Sequence, residues 1–90
     1  MKKLYRYTMD CRRQGRVVGL FVADDSEVKE AMGKEVYFGE ILGKHSDVSG
    51  TLSEDEFKVL TDDQDFIDKF LKFECHSGYN PLHYLSEDRE

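Results

Sequence analysis

Between Val17 and Ala23 the chain reads Val-Val-Gly-Leu-Phe-Val-Ala, seven residues without a charge. A run of that length, with turn-type residues on either side, fits a central β-strand. Ahead of it, Leu4 to Met9 alternates. Tyr5, Tyr7 and Met9 fall on one face, and Leu4, Arg6 and Thr8 on the other. That is a half-buried strand. Arg12-Arg13-Gln14-Gly15-Arg16 separates the two runs as a polar turn containing glycine. Together they predict a β-hairpin with a loop of several residues.

The rest of the chain supplies layers to cover that hairpin. Asp24-Asp25-Ser26 offers three helix caps, and Val28, Ala31 and Met32 fit about two helical turns stopped by Gly33. Glu35 to Leu42 reads as a third strand, with Gly39 marking a bulge or a close backbone approach. Val48, Gly50 and Leu52 alternate as a short fourth strand, and Phe57, Val59 and Thr61 form one side of a fifth. Asp62 or Asp63 then caps a helix whose apolar stripe is Phe66, Ile67, Phe70, Leu71 and Phe73, ending at His76-Ser77-Gly78. Asn80-Pro81 starts one last helical turn. The expected order is ββαβββα plus that turn. This is an α+β fold: a small antiparallel or mixed sheet of about five strands, with both helices on one face.

Ninety residues make one domain, 1–90, with a thin core. Thirty-nine per cent hydrophobic residues, with six Phe and five Tyr, exclude a disordered composition. The two cysteines, Cys11 and Cys75, are too few for a secreted disulfide scaffold. The basic start has no apolar run behind it, so no signal peptide is read, and no stretch approaches a membrane span. The expected compartment is the cytoplasm.

No motif of catalysis or metal binding is complete. Gly39 to Ser46 resembles a phosphate loop only superficially: three residues separate its glycines and His45 follows Lys44. It reads better as a polar turn between strands. It still crowds an acid, a cation and an imidazole together, which makes Glu40, Lys44, His45 and Asp47 an alternative ligand-binding or catalytic site. Cys11, Cys75, His76 and His83 lack the spacing of a zinc site, so no metal and no cofactor is expected. No activated serine or cysteine is evident, and a catalytic pocket is hard to house in so small a core.

Charge is the remaining signal. The chain carries 13 basic and 19 acidic residues, a net of −6. From Lys2 to Arg16 six cations face one anion, a net of +5, while the remainder has seven cations and 18 anions, a net of −11. Tyr5 and Tyr7 beside the cations invite a nucleic-acid reading, but the acidic remainder would repel a polyanion. The densest run is Glu54, Asp55, Glu56, Asp62, Asp63, Asp65 and Asp68, interrupted by Lys58 alone. Part of it is ordinary helix-start chemistry. The expectation is a non-enzymatic binding or regulatory module that meets a protein partner's basic surface through this stretch. Sheet edges leave a homodimer open as well.

Overall fold

The computed structural model describes residues 1–11, 15–42 and 47–85. Strands β1 (Lys2–Asp10) and β2 (Arg16–Asp24) form the expected hairpin, antiparallel from Lys2 opposite Asp24 to Asp10 opposite Arg16. Helix α1 (Asp25–Ala31) follows directly. Asp24 caps it, accepting the Ser26 N–H at 3.0 Å, while Glu27 accepts the Asp24 N–H at 3.2 Å. These two bonds satisfy donors that a helix start leaves without partners. Then come β3 (Glu35–Gly39), β4 (Val48–Thr51), a 3₁₀ turn (Glu54–Glu56), β5 (Phe57–Thr61) and α2 (Gln64–Lys72). A two-residue strand β6 (Ser77–Gly78) and a 3₁₀ helix (Pro81–Tyr84) complete the described chain.

The fold is α+β, but its sheet divides differently from the expectation. One sheet has the order β5-β1-β2-β6, and β3 pairs with β4 in a separate two-stranded sheet, with a single antiparallel bridge from Val36 to Leu85 besides. Alternation along β1 and β2 explains the division. Tyr5, Tyr7, Met9, Val17, Phe21 and Ala23 point to one face, where α1, β3, β4 and Leu52 bury them. Leu4, Leu20 and Val22 point to the other, where α2 covers them with Ile67, Phe70 and Leu71. The helices therefore lie on opposite faces rather than on one. A central strand that is apolar on both sides needs a cover on each.

Two further corrections concern α2. Its apolar stripe is narrower than the sequence suggests: Ile67 and Phe70 are buried, but Phe66 is 49% exposed and Phe73 67%. The helix also ends earlier. Phe73 is its C-cap, and Glu74 takes the left-handed conformation (φ 53°) usually given to glycine. Gly78, read as part of the helix stop, belongs instead to β6. Cys75, just beyond the helix, is exposed. Gly39 does mark a bulge, since the β3–β4 register shifts between Tyr37 and Gly39.

Strand β6 exists because two glycines meet. Gly19 lies opposite Gly78, and the Tyr79 N–H donates to the Val18 carbonyl at 3.0 Å. A Cβ on Gly19 would overlap the Tyr79 carbonyl oxygen, and one on Gly78 would overlap the Val18 carbonyl oxygen. These obstacles are backbone, which cannot swing away as a side chain can. Gly19→Ala is therefore expected to unseat β6 and lower stability by about 2 kcal/mol or more. Chemical denaturation of the variant beside the parent chain measures this.

Candidate functional site

The acidic run is not one patch. Strand β5 divides it. Glu54, Asp55 and Glu56 form the 3₁₀ turn before the strand, while Asp62 and Asp63 follow it and Asp65 and Asp68 ride on α2. Five extended residues hold the two groups about 17 Å apart.

Within each group the carboxylates do different work. Glu56 accepts the Ser53 N–H at 3.2 Å, and Asp55 accepts the Ser53 hydroxyl at 2.6 Å. Asp63 is the N-cap of α2, accepting the Asp65 N–H at 3.0 Å and the Phe66 N–H at 3.5 Å. These three hold local structure. The carboxylates of Glu54, Asp62, Asp65 and Asp68 are exposed and make no hydrogen bond or ion pair among the described residues. They are the ones available to a partner.

Between the two groups lies an apolar edge that the sequence reading missed. β5 ends the four-stranded sheet, and nothing among the described residues pairs with its outer side. Val59 is 46% exposed and Leu60 40%. The β1–β5 register runs Tyr7–Phe57, Arg6–Lys58 and Tyr5–Val59, then jumps to Leu4–Thr61, so Leu60 is the extra residue of a bulge. A hollow opens on each face of this edge. One, of about 410 Å³, has an apolar floor of Tyr5, Val28, Met32, Phe57 and Val59 and a charged rim of Asp25, Lys29 and Glu54. The other, of about 340 Å³, is lined by Leu4, Leu60, Thr61, Asp63 and Phe66. An exposed strand edge between two hollows, one apolar and one apolar with a charged rim, is suited to main-chain pairing with side-chain discrimination.

Of the alternative site, only Glu40 and Asp47 are among the described residues. Lys44 and His45 lie outside them. Glu40 and Asp47 are both exposed and line neither hollow beside β5. Another hollow, of about 320 Å³, brings His76, His83, Ser77 and Asn80 beside Leu20 and Tyr84. No carboxylate or thiol joins those imidazoles, and no metal-ligating cluster occurs among the described residues. Tyr5 and Tyr7, the aromatics that favoured nucleic acid, are buried in the core and cannot stack on bases. No described helix is long and apolar enough to cross a membrane.

Comparison with family models, with curated proteins and with solved structures finds no match, so the site rests on its own geometry.

Two outcomes separate structural from available carboxylates. Asp63→Ala is expected to cost about 1 kcal/mol, the usual loss for a helix cap, and Asp62→Ala and Asp68→Ala less than about 0.5 kcal/mol each. Denaturation midpoints of the three variants rank them. Burial raises the Glu56 carboxyl above its ordinary 4.5; the Ser53 N–H opposes the rise, and the charge on Asp55 adds to it. A carboxyl raised in the fold prefers its proton there. The stability that proton supplies is complete below the ordinary value and is lost as pH climbs through the folded one. Glu56→Gln, which keeps an oxygen for the Ser53 N–H, is expected to flatten that part of the stability-against-pH curve.

Proposed function

We propose that this chain is a non-enzymatic binding module, acting by protein–protein contact through the carboxylates that flank β5. Its sharper form is a regulator or inhibitor of a partner with a basic surface, including a nucleic-acid-binding one. One observation carries the reading: Glu54 and Asp62 stand exposed at the two ends of an exposed apolar strand, with Asp65 and Asp68 exposed on the helix that follows, and none of these carboxylates has a partner among the described residues. Carboxylates serving only solubility would be equally useful anywhere on the surface. These bracket the place where apolar area is left uncovered, which joins electrostatic steering to a burial term.

The apolar element matters for the energetics. Exposed charge pairs gain little in water and fade with salt, so an acidic face alone gives weak and indiscriminate contact. Val59, Leu60 and Phe66 add area that a partner can remove from water.

A displayed random-peptide library tests the reading. The parent chain is expected to enrich peptides rich in Lys and Arg, bound less tightly as salt rises. Combined Glu54→Lys, Asp62→Lys, Asp65→Lys and Asp68→Lys, with Asp63 kept as the cap, is expected to weaken those peptides about tenfold or more. Retention of the same peptides by the reversed variant would sink the reading.

A further inference from the structure

We infer that the partner is an extended segment with basic ends and an apolar centre that presents apolar side chains to both faces, and that it binds by adding a strand to the outer edge of β5. The inference rests on the acidic-surface reading and supplies its mode. The edge is the last strand of the β5-β1-β2-β6 sheet, and its outer backbone has no partner among the described residues. Successive side chains of an added strand point to opposite faces of the sheet. Here each face has a hollow to receive them, one beside Val59 and one beside Leu60. The Glu54 and Asp62 ends of the edge then meet the basic ends of the segment.

The same geometry argues against a second copy as the occupant. Antiparallel self-pairing centred on Val59 would set Glu56 opposite Asp62 and Asp55 opposite Asp63. Like charges directly opposite one another across strands are destabilising. The bulge at Leu60 and the charge of Lys58 also discourage a copy. A partner with cations at those positions turns the repulsion into attraction.

The probe is the peptide Lys-Arg-Val-Val-Thr-Val-Val-Lys-Arg, which places valines on both faces of an added strand. It is compared with the same peptide N-methylated at each of its five central residues, which removes the donors of both edges, and with a scrambled peptide of equal charge. The first is expected to bind and to slow amide hydrogen exchange within Phe57–Thr61. N-methylation, which removes main-chain donors and leaves every charge, is expected to weaken binding about tenfold or more. Val59→Thr with Leu60→Thr in the chain is expected to weaken the first peptide more than the scrambled one. Equal binding by all three peptides, with no slowing in β5, overturns strand addition and leaves the acidic surface standing. Failure of every basic peptide to bind overturns both. Concentration-dependent slowing in β5 without peptide would make a second copy the occupant and overturn the inference.

Discussion

The antiparallel pairing of β1 with β2 is the constraint from which the other elements take their places. It runs the full length of both strands, from Lys2–Asp24 to Asp10–Arg16. Once that register is set, every side chain on the hairpin is assigned to a face, because a slip of one residue would exchange the two sets. Tyr5, Tyr7, Val17 and Phe21 are committed to one core, and Leu4, Leu20 and Val22 to another. Each set must then be covered. The α1 and β3–β4 layer covers the first, and α2 the second.

The larger core is aromatic and imperfect. Phe57 packs against Tyr7 with ring centroids 5.1 Å apart, and Phe38 against Tyr84 at 4.8 Å. Rings bury much area per residue, which suits a chain too short to bury many side chains. Tyr7 is fully buried, yet its hydroxyl has no hydrogen-bond partner among the described residues. Leaving such a group unsatisfied costs about 1–3 kcal/mol, so the ring's packing must outweigh its own hydroxyl. Phe57 belongs to this core and to β5 at once. It anchors the start of the edge strand while Val59 and Leu60 remain open.

How much of this was legible depended on whether a feature was local. The hairpin, the caps at Asp24 and Asp63 and the Gly39 bulge follow from turn and cap chemistry within a few residues. The division into two sheets did not, since it turns on which strands meet at long range. The apolar run of β2 already implied a cover on each face, but placing both helices on one face ignored Leu4, Leu20 and Val22. The acidic stretch was visible as composition. Its division was implied too, since the fifth strand lies between Glu56 and Asp62, but taking the carboxylates as one face ignored it. Phe66 looked buried by its place in the helical stripe. Only the width of the sheet beneath α2 decides that it overhangs the edge.

That overhang bears on why the edge is built as it is. An apolar strand edge exposed to solvent invites pairing with copies of itself, and a chain usually blunts it with charge, a bulge or a covering element. Here Lys58 and the Leu60 bulge do the blunting, and the carboxylates at both ends add like-charge repulsion. Among the described residues no element covers it, although α2 lies close enough for Phe66 to share a hollow with Leu60. Devices that act by charge are selective where a cover would not be. They repel another acidic edge, and they favour a basic one. On the proposed reading, an edge protected in this way disfavours its own kind and favours a partner of opposite charge.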